Sequence, residues 1–68
     1  MKISARNVLT GTIVEIRKGA TTAHVRIDLG GSVVTAAITN EAVDDLGLKE
    51  GAKASAVIKA SDVMVAVD

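Results

Sequence analysis

The sequence predicts an all-β fold, a small five-stranded barrel with one short helix between the third and fourth strands. Three observations carry this. Apolar and polar residues alternate with a period of two through much of the chain, which is the spacing of half-buried strands. Gly30-Gly31 separates two such runs and reads as a hairpin turn. Only the stretch from Asn40 to Gly47 carries the start and stop signals of a helix.

The first strand spans Leu9 to Arg17. Thr12, Val14 and Ile16 fall on one face, and Leu9, Gly11 and Ile13 on the other. Apolar residues on both faces imply burial on both, as when a strand also meets another subunit. Gly11 marks a bend or bulge of the kind small barrels need at corners. Lys18-Gly19-Ala20 leads to the second strand, Ala23 to Leu29, where Ala23, Val25, Ile27 and Leu29 oppose His24, Arg26 and Asp28. The third strand is Ser32 to Thr39.

Asn40 reads as the helix N-cap, because its side chain can accept from free backbone N–H groups of the next turn. The helix runs from Glu41 to Leu46, with Glu41, Asp44 and Asp45 near the positive end of its dipole. Gly47 is the stop. Leu48-Lys49-Glu50-Gly51 turns into the fourth strand, Ala52 to Ala60, with Ala52, Ala54, Ala56 and Ile58 on one face. Val63, Val65 and Val67 mark the fifth. Three strands, a short helix and two more strands is the order of an OB-like barrel. A plain antiparallel meander is the competing topology.

Sixty-eight residues make one small domain, 1–68, with a limited core. There is no Cys, Phe, Tyr or Trp, so neither disulfides nor aromatic rings add to it. Yet 49% of the residues are hydrophobic. Burial between copies reconciles these facts, so a homo-oligomer is expected. Eight basic and eight acidic residues cancel. Zero net charge and the lack of aromatic side chains argue against nucleic-acid binding, which needs phosphate contacts and stacking platforms. The apolar runs are too short to span a bilayer, and the N-terminus lacks the apolar core of a signal peptide. A cytoplasmic protein with no membrane partner is the expectation.

Two short stretches stand out against this background. Lys2-Ile3-Ser4-Ala5-Arg6-Asn7 and Ile58-Lys59-Ala60-Ser61 each combine a hydroxyl with a fixed positive charge, and neither contains an acid. Such donor sets suit an oxyanion, whose oxygens only accept hydrogen bonds. Ser4, Arg6, Thr39, Lys59 and Ser61 all fall at predicted strand ends. Thr39-Asn40 also precedes the helix. If the barrel brings its first and last strands together, Ser4 and Arg6 become neighbours of Lys59 and Ser61. The alternative is that Lys2, Arg6 and Lys59 are solvated charges guarding strand edges. His24, the only histidine, reads as a surface residue. Glu41, Asp44, Asp45 and Glu50 do not have the spacing of a calcium loop. No nucleophile elbow, phosphate-binding glycine loop or Cys–His pair is present, so an enzyme is not expected.

Lys2-Ile3-Ser4-Ala5-Arg6-Asn7, followed by Leu9 and Gly11, resembles the opening of the molbindin (Mop) domain. Ala36-Ala37-Ile38-Thr39, Leu46-Gly47-Leu48, Glu50-Gly51 and Ile58-Lys59-Ala60-Ser61-Asp62-Val63 are similar to later elements of that family. The resemblance covers essentially the whole chain. It implies a stand-alone OB-like domain, a hexamer built as a trimer of dimers, and molybdate or tungstate held at subunit interfaces. No organic cofactor is implied. Ser4, Ala5, Arg6, Lys59, Ala60 and Ser61 would come from one subunit, with Thr39 and Asn40 from a neighbour. A second site on a symmetry axis, as in some members, is assigned to Lys18, Gly19 and Ala20. The chain departs from the family at Ala42, where a Ser is common. Losing one hydrogen bond to a charged ligand costs about 1.5–3 kcal/mol, roughly ten- to a hundredfold in affinity. The implied function is molybdate storage or buffering. The rivals are a ligand-free structural oligomer and a nucleic-acid-binding OB module.

Overall fold

The computed structural model describes all 68 residues. It contains β1 (Asn7–Lys18), β2 (Thr22–Asp28), β3 (Val33–Thr39), α1 (Asn40–Asp45) and β4 (Lys53–Ile58), then a 3-10 turn over Ala60–Asp62. The strands form one antiparallel sheet in the order β3-β2-β1-β4, curled into a half-barrel. The all-β, OB-like fold class stands. No helix is long and apolar enough to cross a membrane.

β1 is long because it serves two partners. Asn7 to Thr12 pair with β4, and Thr12 to Lys18 pair with β2. Between Ile13 and Glu15 the register slips by one residue, so Val14 is the extra residue of a bulge. A slip of one residue exchanges the two faces of a strand. Ile13 therefore points into the core before the bulge and Ile16 packs against it afterwards, while Val14 faces solvent. This accounts for much of the two-faced apolar pattern of the sequence. Gly11 is not the bulge. It marks a place where two backbones approach closely, since a Cβ there would collide with the Asp28 carbonyl oxygen.

In β2 the alternation is complete: Ala23, Val25 and Ile27 are buried, and Thr22, His24, Arg26 and Asp28 are exposed. Ile13, Ala23, Val25, Ile27, Val43 and Ala56 form the core. Six buried residues in 68 is a thin core even for a domain of this size.

The helix begins one residue earlier than expected. Thr39, still extended at φ −71° and ψ 151°, is the N-cap, and its Oγ1 accepts from the Ala42 N–H at 3.0 Å. Asn40 is the first helical residue. Its Nδ2 donates to the Gly19 carbonyl at 2.9 Å, and its backbone N–H donates to that of Thr21 at 2.9 Å. Asn40 thus ties the helix to the β1–β2 turn instead of capping it. At the other end Gly47 adopts φ +64°, its N–H reaches the Asp44 carbonyl, and the Leu48 N–H reaches that of Val43. This paired closure is the Schellman motif, which needs a left-handed residue after the cap. Asp44 and Asp45 occupy the last turn, so the dipole does not favour them there. Asp44 is held instead by the Lys18 ammonium at 2.7 Å.

β4 is shorter than the expected Ala52–Ala60, and its inward face is Ala54, Ala56 and Ile58. The expected fifth strand does not form within the chain. After the 3-10 turn the backbone leaves extended at Val63, and no strand of its own sheet pairs with residues 63–68.

Candidate oxyanion site

The site is positioned by the last pair of the β1–β4 ladder. Asn7 lies opposite Ile58, and the Asn7 Nδ2 donates to the Ile58 carbonyl at 3.2 Å. This bond ties the two strand ends together. In an antiparallel pair the residues before one strand and after the other continue side by side. Arg6 directly precedes and Lys59 directly follows this terminal pair, so the segments that carry Ser4, Ala5 and Arg6 and Lys59, Ala60 and Ser61 leave the ladder from the same end. The 3-10 turn tightens the second segment. Within it the Asp62 N–H donates to the Lys59 carbonyl at 2.9 Å and the Val63 N–H to that of Ala60 at 3.2 Å.

The electrostatics follow from what these side chains do not do. The ion pairs of the chain join Arg17 to Glu15, Arg26 to Glu15 and Lys18 to Asp44. Arg6 and Lys59 enter none of them, although Asp62 lies only three residues after Lys59. The Ser4 and Ser61 hydroxyls make no hydrogen bond within the chain. Ser4, Arg6, Lys59, Ala60 and Ser61 are all exposed, and Ala5 is half-buried. One copy thus presents two cations and two hydroxyls with their donors unspent, on one rim of the sheet and open to solvent.

Thr39 and Asn40 lie elsewhere. Thr39 pairs with Thr22 of β2, whose next residue, Ala23, pairs with Lys18 at the far end of β1. From Asn7 to Lys18 is most of the length of the sheet, roughly 36 Å of strand at about 3.3 Å per residue before curvature. Thr39 therefore sits at the opposite end of β1 from the Arg6–Lys59 rim. The donors at the helix start are also partly spent, since the Ala42 N–H goes to Thr39 and the Asn40 N–H to Thr21. The Thr39 hydroxyl keeps its own proton for a ligand.

Lys18 and Gly19 border a shallow polar recess of about 200 Å³ with Arg17, Thr22 and His24; Ala20 does not line it. Sequence reading missed Arg17, Thr22 and His24 here. His24 sits opposite Arg17 across the ladder, a neighbourhood set by register and bulge that no local motif reveals. Lys18 is turned towards Asp44, and Gly19 is bound on both sides, its N–H to the Thr22 carbonyl and its carbonyl to Asn40.

Comparison with known proteins agrees with this architecture. The TOBE domain model matches residues 3–65. Molybdenum-pterin-binding protein 3 of Clostridium pasteurianum is 48% identical over 66 residues, 96% of this chain and 97% of that protein. The chain belongs to the molbindin family. Among solved structures, a molybdate-binding protein from Sporomusa ovata superposes with a TM-score of 0.93 at 43% identity, covering 98% of this chain and all of the other. The molybdate-bound form of ModG, a cytoplasmic molybdate-binding protein, gives 0.89 at 54% identity, covering 94% of this chain and 46% of that one. These molbindin relatives are named for binding molybdenum species and not for a reaction.

Proposed function

We infer that this molbindin binds molybdate, and tungstate with it, as a reversible cytoplasmic store. The observation that supports the reading is the Asn7–Ile58 register, from which both donor segments leave at the same end of the ladder, with Arg6 and Lys59 free of ion pairs. A tetrahedral dianion loses hydration on entering a site, and several charge-assisted donors at once offset that loss. The charged side chains among the proposed site residues, Arg6 and Lys59, are both cations. They favour a full dianion over phosphate, which is partly protonated near neutral pH.

The exposed rim is half of a site. A second copy supplies Thr39 and Asn40, which in their own chain lie at the other end of β1. The site thus forms between subunits of a homo-oligomer, a trimer of dimers on the family pattern. Lys18, Gly19 and their neighbours Arg17 and His24 form a weaker second position, because Asp44 competes there for the Lys18 ammonium. The protein does no chemistry on the ion. Isothermal calorimetry tests the reading. Molybdate is expected to bind at low micromolar concentration or tighter, with phosphate silent; no heat at millimolar molybdate would retire the storage role.

A further inference from the structure

His24 is the chain's one histidine, and it borders the shallow recess at the β1–β2 turn. Imidazole is the side chain whose ordinary titration falls between pH 5 and 8, so its surroundings decide what a proton there does. On β1 the residue opposite His24 is Arg17, which puts their Cβ atoms about 5 Å apart. Two residues along β2, on the same exposed face, is Arg26. Glu15 of β1 answers both guanidinium groups, at 3.4 Å to Arg17 and 3.9 Å to Arg26. Lys18 is answered by Asp44 of α1. From β3 comes Ala37, flanked on that face by Thr35 and Thr39, side chains that carry no charge. The imidazole makes no hydrogen bond within the chain, and neither does the Thr22 hydroxyl that shares the recess.

The charges of this patch decide its chemistry. Arg17, Lys18 and Arg26 meet two carboxylates, Glu15 and Asp44, which leaves one positive charge. That balances only half of a doubly negative ion. An imidazolium supplies the second charge, and both of its ring nitrogens then donate. We propose that His24 makes the recess at Arg17, Lys18 and Thr22 a proton-linked oxyanion site, which a tetrahedral dianion enters together with one proton on the imidazole. The proposal rests on the second, weaker position of the functional reading and not on the Arg6–Lys59 rim, where the cations are of types that keep their charge near neutral pH. The sign follows from linkage. A dianion beside the ring favours the imidazolium, so the bound state holds more protons than the free one. Affinity at the recess therefore grows as the pH falls from about 8 to about 6, and is lost as the pH rises through the bound-state titration. The rim shows no such dependence.

The test uses the full chain and dilute sodium molybdate, an ion that keeps both charges near neutral pH. With a single histidine, the His24 ring proton is followed by NMR without ambiguity. Its titration midpoint is expected to rise by about one pH unit once molybdate saturates the amides of residues 17–19 and 22–24, which is about tenfold in affinity across the window. Calorimetry in two buffers of different ionisation heat is expected to show proton uptake near pH 7. His24→Gln, at a side chain exposed to solvent, is expected to abolish that uptake and leave the fold unchanged by circular dichroism. A midpoint that stays put while those amides saturate would mean that the ion binds without a proton, which overturns the proposal. Uptake that survives His24→Gln overturns it, and so do recess amides that never respond. Saturation at residues 4–6 and 59–61 in any of these cases leaves the principal site intact. A His24 response with residues 4–6 and 59–61 silent would sink the principal site and leave the recess standing.

Discussion

Replacing Lys59 by Ala separates a built site from a diffuse positive field. Lys59 follows the last β4 residue, at the same end of the ladder from which Arg6 leaves, and has no ion-pair partner to release when it is removed. Its loss removes one charge-assisted hydrogen bond, about 1.5–3 kcal/mol, or roughly ten- to a hundredfold in molybdate affinity. Lys49 is the control. It is also exposed and unpaired, but it precedes β4, and the run from Lys53 to Ile58 alone spans about 16 Å. That is around two Debye lengths at physiological ionic strength, where the length is about 8 Å. Lys49→Ala should therefore change affinity less than about twofold. Calorimetric titration of both variants at 0.15 M salt decides the matter, with circular dichroism to confirm the fold. Equal losses in the two variants would refute a local site and leave only a general attraction of cations for anions.

Four other perturbations follow from the same geometry. Ala42→Ser restores a hydroxyl beside the helix start and should tighten molybdate binding up to about tenfold, read by calorimetry; no change would mean that position 42 does not face the ligand. Thr39→Ala removes the N-cap and should cost about 1 kcal/mol of stability, a fall of several degrees in Tm, even without molybdate. Gly11→Ala drives a methyl into the Asp28 carbonyl, so β1 and β2 must part; a loss of about 2 kcal/mol or more is expected in urea unfolding. Lys18→Ala breaks only an exposed pair with Asp44 and should change stability by less than about 1 kcal/mol.

What was legible in the sequence was whatever depends on near neighbours along the chain. The β2 alternation, the Gly47 stop and the inward Ala54-Ala56-Ile58 face needed only a period and a steric preference. The donor sets flanking Asn7 and Ile58 were visible because each lies within four residues. What was hidden depends on pairing between strands. The bulge at Val14 has no local signature, so Ile13 and Ile16 read as opposite faces when both serve one core. Asn40 and Thr39 are both good caps, and the choice fell to Thr39 because Asn40 is bound to Gly19 and Thr21 across the fold. The acids of the helix illustrate the same limit. Asp44 looked like a complement to the dipole, but the helix is so short that its place is set by Lys18. Val63, Val65 and Val67 have strand periodicity, yet a period alone does not supply an edge to pair with, and no strand of their own sheet does so.

The central claim is that Ser4–Arg6 and Lys59–Ser61 together hold a tetrahedral dianion. The most direct measurement is a two-dimensional amide NMR titration of the full chain with sodium molybdate. The account predicts saturating shifts at residues 4–6 and 59–61, joined by those around Thr39, with little change in the Lys49 loop. Shifts that stay linear to high millimolar salt, or that saturate while residues 4–6 and 59–61 do not move, would contradict it.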